Sequence, residues 1–438
     1  RAGEARVAVG ARSALFAPFR DLGLLVVDEE HDHSYKQDEG VRYSARDLAV
    51  VRGHLARCPV VLGSATPSLE TWQNAATDRY GRIELLSRAT AWTVPQVELV
   101  DMNAQDKGPD GRVPIVSEPV RLALTQAFAD GGKAIVLYNR RGYATLVECV
   151  DCGAGYTCPS CGVSMVLHQS QRSLVCHYCG FHREQSDSCP SCSGTLEVLG
   201  KGTERIEELL RELFPDIPMA RMDADTTAAR GSHFELLEGF RKGDTRLLVG
   251  TQIVAKGHDF PDVHVAVVLG ADHVLMLPDF RSAESCFSLV TQLAGRAGRG
   301  SVAGRVLVQT RHPRHFVFQR LNDFPSFAQE ELRQRELLRY PPYSRLALLR
   351  VEGADRQQAL ETAWSLQRRL RATADGKTVQ VLGPSPAAMP RLVGRWRYQL
   401  LLKGNQTGPW LRWLQSVDVS SPSSGVRVQL DVDPRNLM

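Results

Sequence analysis

Short, wholly apolar runs that stop at small or acidic residues recur along the chain, at Leu22–Val27, Val60–Leu62, Ala134–Tyr138, Leu247–Val249, Val263–Leu269 and Val306–Val308. A strand without polar alternation must be covered on both faces, which is the condition of a parallel sheet layered by helices. Helical spacing of apolar positions falls between these runs, at Asp47–Ala56, Pro119–Ala129, Thr203–Phe214, Phe234–Arg241 and Phe287–Ala294. Strand and helix in alternation predict a doubly wound α/β architecture with its chemistry at the carboxyl ends of the strands. Residues 89–117 are polar, carry Pro and Gly, and read as a linker between a first lobe at 1–88 and a second at 118–147 and 196–325. A cysteine-rich insertion at 148–195 interrupts the second lobe. From residue 326 the pattern changes: helices at Phe327–Arg339 and Gln357–Ala372, a Pro341-Pro342 break, and strands near Tyr398–Leu402 and Val426–Val432 predict a separate α+β domain at 326–438.

Composition supports this division. A chain of 438 residues, 43% hydrophobic and 23% charged, is globular and long enough for two or three domains. No apolar run approaches membrane-spanning length and no signal-peptide pattern is present, so the cytoplasm is the expected compartment and no membrane partner is expected. A net charge of +4 does not by itself indicate nucleic acid. Local patterning says more: Pro390 to Trp413 holds Arg391, Arg395, Arg397, Lys403 and Arg412, no acidic residue, and Trp396, Tyr398, Trp410 and Trp413. Cations interleaved with aromatics suit phosphates and stacked bases; a solvated strand face with tryptophans in the core is the alternative.

Eight of the ten cysteines form four C-x2-C pairs, Cys149/Cys152, Cys158/Cys161, Cys176/Cys179 and Cys189/Cys192. Three run straight into Gly153, Gly162 and Gly180, and the fourth reaches Gly194 one residue later, the composition of zinc knuckles. The spacings favour nesting. Cys158, Cys161, Cys176 and Cys179 enclose a hairpin (Met165–His168, Ser173–Val175), and Cys149, Cys152, Cys189 and Cys192 share a second ion. Sequential pairing of knuckles and a disulfide framework are the alternatives, the latter opposed by the reducing compartment. Cys58 and Cys286 lie outside this block, in segments that read as core.

The run Leu22–Val27 delivers Asp28-Glu29-Glu30-His31 to its carboxyl end. Adjacent carboxylates there suit nucleotide hydrolysis, Asp28 holding Mg²⁺ through water and Glu29 orienting the attacking water. Acidic residues after a strand also occur as solvated turns, but the next strand ends in Gly63-Ser64-Ala65-Thr66-Pro67-Ser68, small hydroxyls suited to sensing phosphate. In the second lobe Gly250-Thr251-Gln252 follows a strand, Lys256-Gly257-His258 comes next, and Gln292-Leu293-Ala294-Gly295-Arg296-Ala297-Gly298-Arg299 places two arginines on one helical turn, able to reach a γ-phosphate.

This order of boxes, D-E-x-H, S-A-T, G-T-Q and Q-x-x-G-R-x-G-R, resembles the superfamily 2 helicases. With the eight-cysteine block set between Asn139-Arg140-Arg141-Gly142-Tyr143 and Gly202-Thr203-Glu204-Arg205, it resembles the PriA family of replication-restart helicases. Further matches are Gly10-Ala11-Arg12-Ser13-Ala14-Leu15-Phe16-Ala17-Pro18-Phe19, Asp223-Ala224-Asp225-Thr226-Thr227, Leu382-Gly383-Pro384 and Asp431-Val432-Asp433-Pro434. The resemblance implies two RecA-like lobes, the first partial, with a double zinc ribbon and a C-terminal domain. It implies ATP-dependent 3′-to-5′ unwinding at stalled forks, ATP with Mg²⁺ and two structural Zn²⁺ as cofactors, and single-stranded and forked DNA as partners. Single-stranded DNA-binding protein and the primosome proteins that load the replicative helicase are the protein partners it implies. On the same grounds Asp28, Glu29, His31, Arg296 and Arg299 are candidate catalytic residues, and Ser64, Thr66, Gly257 and Gln292 couple to nucleotide. Tyr35, Lys36 and Tyr43 belong to a loop linking nucleotide to single-stranded DNA, Arg12, Arg140, Arg141, Thr251 and Lys256 contact DNA, and Arg395 and Gln399 receive the acidic tail of single-stranded DNA-binding protein.

One part of the pattern is missing. No phosphate loop of the form G-x-x-x-x-G-K-[ST] precedes the acidic box, and Gly200-Lys201-Gly202-Thr203 lacks the required spacing. With Arg1 in place of an initiating methionine, the expectation is a fragment of a longer parent, inactive alone. A protein that has lost ATP binding and serves as a fork-binding scaffold is the alternative. A general repair helicase would not need the paired zinc sites.

Overall fold

The computed structural model describes residues 5–85, 95–108, 113–138, 145–168, 172–199, 203–222, 232–251, 260, 262–298, 303–376, 378–404, 408–419 and 425–437. These divide into two compact units, one of Arg1–Arg82 with Gln334–Met438 and one of Ile83–Arg333.

In the second unit six parallel strands lie in the order Met219–Met222, Leu247–Gly250, Lys133–Tyr138, Val263–Leu269, Arg305–Thr310 and Gln96–Asp101. The apolar runs are explained by their burial. Successive residues of a strand point to opposite faces, so Ala134 and Val136 join Leu247, Val249, Val265, Val267 and Leu307 under helices Glu118–Ala129 and Thr203–Leu213. Ile135 and Leu137 join Leu248, Ala266, Val268, Val306 and Val308 under helices Ser232–Lys242 and Ser282–Ala294. On that second face Phe287 stacks on Phe327, with ring centroids 4.1 Å apart and planes 17° from parallel.

The stretch read as a linker is partly sheet. Gln96–Asp101 pairs along its length with Arg305–Thr310, and Glu98 accepts two hydrogen bonds from Arg305, at 3.0 and 2.9 Å, on the exposed edge. Its Glu and Gln concealed it, because an edge strand takes polar residues that a central one does not.

In the first unit Leu25–Val27 and Val60–Leu62 form a parallel pair flanked by helices Ala45–Ala56 and Leu69–Ala76. The C-terminal part is a four-stranded antiparallel sheet ordered Val379–Leu392, Arg395–Gly404, Arg345–Gly353, Val426–Val432. Helix Arg356–Thr373 packs Ala359, Ala363, Leu366 and Leu370 against Leu349, Val351, Leu400 and Leu402. The strand Val379–Leu392 was hidden by Pro384, Pro386 and Pro390, residues that argue against a central strand. It is an edge strand, and its register breaks between Leu382 and Ser385 and again between Pro386 and Arg391. Among the described residues no helix is long and apolar enough to cross a membrane.

Truncating Phe287 to alanine removes a fully buried ring that stacks on its neighbour. Phe287→Ala should cost about 3–5 kcal/mol, measured as a lowered urea midpoint by far-ultraviolet circular dichroism.

Candidate ATPase box and zinc centres

The acidic box is set by a turn of unusual backbone. Glu29 has φ +48°, a left-handed conformation uncommon for a residue with a side chain. Asp28 Oδ1 accepts the Glu29 N–H at 3.0 Å. This turn leaves Asp28 and Glu29 exposed and sends Glu30 inward. The Glu30 N–H donates to Gly63 O at 3.0 Å and the Gly63 N–H to Val27 O at 2.9 Å, so the two strand ends are stitched together.

The Glu30 carboxylate, 2% exposed, accepts from the Ser68 N–H at 2.6 Å, Ser68 Oγ at 3.1 Å, Thr71 Oγ1 at 3.0 Å and the Arg46 guanidinium at 3.1 Å. Burial works against the charge on Arg46, but Asp47 and Glu30 more than reverse it and hold the guanidinium above its usual range. Sequence reasoning missed Glu30, Arg46 and Ser68 as the frame of the site. A third carboxylate beside the candidate catalytic pair and an arginine in a helix's first turn were the available signals.

His31 crosses from the acidic box to the hydroxyl box, with Nδ1 2.7 Å from Ser64 Oγ. Ser64 Oγ also accepts from the Thr66 N–H at 3.0 Å. His31 Nδ1 lies 3.6 Å from Glu29 Oε2 as well. Thr66 itself is buried. The Tyr35 hydroxyl donates to Asp28 O at 2.6 Å, and burial followed by the nearby Asp28 charge raises its pKa. Tyr43 packs edge-to-face on Phe16 with centroids 5.4 Å apart, and the Arg12 guanidinium donates to the Lys36 carbonyl.

Two expected contact residues are buried. Lys36 is 5% exposed and its ammonium is engaged by Val432 O, Asp433 O and Asp431. Gln399, 1% exposed, sits mid-strand and donates toward Leu437 O at 3.5 Å. Positions four apart on a strand share a face but not necessarily the same exposure. Arg395 stays exposed at the start of its strand. The tryptophan-rich segment resolves mostly as core: Trp410 and Tyr398 are buried, and Arg397 pairs with Glu352 at 3.0 Å.

In the second unit Thr251 is buried just past its strand, its N–H 3.3 Å from Met222 O. Gln292 lies in the last turn of helix Ser282–Ala294 and Arg296 follows the capping Gly295, both half-buried. Arg140, Arg141, Lys256, Gly257 and Arg299 lie outside the described residues.

The cysteines divide as nested sets, Cys149, Cys152, Cys189, Cys192 and Cys158, Cys161, Cys176, Cys179, the sulfurs of each within 4.8 Å of one another. Cys149–Cys192, Cys152–Cys189 and Cys158–Cys179 sulfurs are 3.5, 3.7 and 3.7 Å apart. Tetrahedral Zn–S bonds of about 2.3 Å put sulfurs about 3.8 Å apart, whereas a disulfide needs about 2.05 Å. Both sets therefore fit Zn²⁺, which would fold the module by tying four thiolates to one centre.

All four knuckles share one backbone. Gly153, Gly162, Gly180 and Ser193 donate to the carbonyls of Cys149, Cys158, Cys176 and Cys189 at 2.8–2.9 Å. Their φ values are +75°, +67°, +80° and +62°. The left-handed residue of the fourth knuckle is thus Ser193, not the expected Gly194. Gly194 is small for another reason, since a Cβ there would lie 2.3 Å from Asp151 Oδ2. Between the inner ligands His168 and His177 meet Nε2 to Nε2 at 3.2 Å, and burial holds both below the ordinary histidine pKa.

Family models match in three places. Residues 158–183 match the PriA DNA helicase Cys-rich region domain, 192–301 the helicase conserved C-terminal domain, and 336–435 the primosomal protein N C-terminal domain. Replication restart protein PriA of Bacillus subtilis is 42% identical over 92% of this chain and 50% of its own length. The proteins of the same name from Synechocystis sp. and Chlamydia pneumoniae are 40% and 38% identical, each over 99% of this chain and over 53% and 58% of their own lengths. The chain belongs to the PriA family. It spans about half the length of these PriA relatives. The PriA Cys-rich match covers the inner ligand set, and the outer set is identified by its geometry.

Two outcomes follow from the knuckles. Cys158→Ser should lower zinc from two ions per chain to one by elemental analysis, leaving the outer set filled. Replacing Ser193, φ +62°, by glycine should relieve about 1 kcal/mol of backbone strain and slow chelator-driven zinc release from the outer site.

Proposed function

We propose that this protein, at the full length of its relatives, is an ATP-dependent DNA helicase that moves 3′ to 5′, remodels stalled replication forks and prepares them for reloading of the replicative helicase. The observation that carries the reading is the turn at Glu29, which exposes Asp28 and Glu29 together while Glu30 anchors the box and His31 ties it to Ser64. In this reading Asp28 holds water on Mg²⁺ and Glu29 orients and deprotonates the attacking water. Mg²⁺ supplies neutralisation of the developing phosphate charge. Ser64, Thr66, Gln292 and Gly257 report nucleotide state, and Arg296 and Arg299 are the candidate γ-phosphate cations.

Single-stranded DNA is the partner suited to Tyr35 and Tyr43, whose rings can stack on bases, with Arg12, Arg140, Arg141, Thr251 and Lys256 as further candidate contacts. Arg395, exposed beside Arg391 and Trp396, remains the candidate for the acidic tail of single-stranded DNA-binding protein. Primosome proteins are the remaining proposed partners.

DNA-stimulated ATP hydrolysis by the full-length protein tests this reading. Glu29→Gln should lower kcat by about 100-fold or more, the usual contribution of a positioned base, without weakening fork binding. A wild-type protein that binds forks but never hydrolyses ATP would instead be a scaffold.

A further inference from the structure

We propose that the end of the C-terminal strand positions the acidic box, clamping through Lys36 the loop whose neighbouring Tyr35 holds Asp28. The inference rests on the ATPase reading above and adds to it an intramolecular control from the C-terminal domain.

Lysine is almost never fully buried unless paired, and the Lys36 side chain is 3% exposed. Its ammonium donates to Val432 O at 2.7 Å and Asp433 O at 3.2 Å and lies 2.8 Å from Asp431 Oδ1. Two of its protons go to the carbonyls of consecutive residues at the end of strand Val426–Val432, and the Asp431 carboxylate just before them lies at ion-pair distance. Carbonyl acceptors make the contact specific for the register of the strand, which a carboxylate alone would not. The contact joins residues 396 and 397 positions apart in sequence.

The loop is held at a second point. Arg42 donates to Leu430 O at 3.3 Å and to Gln429 Oε1, as well as to Asp38 O at 3.0 Å within the loop. A backbone bridge between Lys36 and Ser44 closes the loop, and the Gln37 N–H donates to Tyr43 O at 2.8 Å. The strand end is itself fixed, because Arg345 pairs with Asp433 at 2.7 Å and the Asp433 N–H donates to Leu346 O at 2.9 Å. Beyond it Arg435 reaches Glu70, at 3.5 Å, in the first turn of the helix after the hydroxyl box. Residues 429–435 therefore touch the segments following both boxes. From Lys36 the path to the box is one peptide bond to Tyr35 and one hydrogen bond, 2.6 Å, to Asp28 O. Lys36 is a positioning residue acting through Tyr35.

The test uses full-length protein carrying Lys36→Met, Asp431→Asn or both. Readouts are kcat and KM for ATP with saturating single-stranded DNA, affinity for that DNA without nucleotide, and amide exchange over residues 33–44. Lys36→Met should lower DNA-stimulated kcat about tenfold, a typical coupling, with KM and DNA affinity kept and exchange over 33–44 accelerated. Asp431→Asn, which spares the carbonyl contacts, should act in the same direction more weakly, and the double variant should be no worse than Lys36→Met. Weakened DNA binding in Lys36→Met alone would make Lys36 a DNA contact and overturn the clamp. Faster exchange with unchanged kcat in both single variants would reduce it to a structural tie and also overturn it. If Lys36→Met fails to fold, Asp431→Asn decides by the same criteria. Hydrolysis absent from the wild type would overturn the ATPase reading and the clamp together, whereas wild-type hydrolysis with indifferent variants overturns the clamp alone.

Discussion

A strand buried on both faces can place polar chemistry only at its ends, and this constraint arranges the second unit. Lys133–Tyr138, Leu247–Gly250 and Val263–Leu269 give alternate side chains to two apolar layers and leave no position between for a functional group. Thr251 and the start of the cysteine module accordingly follow strand ends or the segments just after them. In the first unit Val27 is the one buried residue of its strand, Val26 being 63% exposed, and Asp28 follows it directly.

At the acidic box the rule creates a problem that Glu30 solves. Three consecutive carboxylates repel one another, and exposing all of them would leave the turn without an anchor. Turning Glu30 inward separates one charge from the pair, and its four hydrogen bonds compensate its desolvation. Removing a partner from such a pair typically costs about 3–5 kcal/mol, because a charge is left buried and uncompensated. The anchor therefore fixes geometry rather than adding much net stability. It leaves Asp28 and Glu29 exposed, with Glu29 Oε2 3.6 Å from His31 Nδ1.

Much of this was legible in the residues. Unbroken apolar runs gave the parallel strands to within a few positions, and Val426–Val432 was read with its observed ends. C-x2-C spacing around a short hairpin favoured the nested ligand sets over sequential pairing, and the sulfurs do group as those nested sets. The illegible parts share a cause: their residues were chosen by tertiary neighbours that lie far away in sequence. Gln96–Asp101 is a strand because Arg305–Thr310 offers it an edge. Lys36 reads as a solvent cation until the strand some 396 residues later is placed beside it. Gln399 looks exposed next to arginines, yet the strands through Ser385 and Arg350 flank it on both sides.

The zinc module joins metal centres to buried apolar residues in and beside short strands, among them Val147, Met165, Leu167, Leu174 and Tyr178. Leu146 and Val166 cluster with Met276, which belongs to the helicase lobe. Two four-thiolate sets tie these short strands together. The lobe supplies the orientation: Arg311 donates to Val150 O at 2.6 Å, His312 Nε2 lies 3.0 Å from Gly153 O, and the Phe280 N–H donates to the Tyr178 hydroxyl at 3.1 Å. Val150 and Gly153 belong to an outer knuckle and Tyr178 to an inner one, so each metal centre has its own attachment to the lobe. With the attachment points themselves fixed by the metal, the module is oriented by the lobe as a rigid piece, and loss of either ion would loosen its own hold while leaving the other in place.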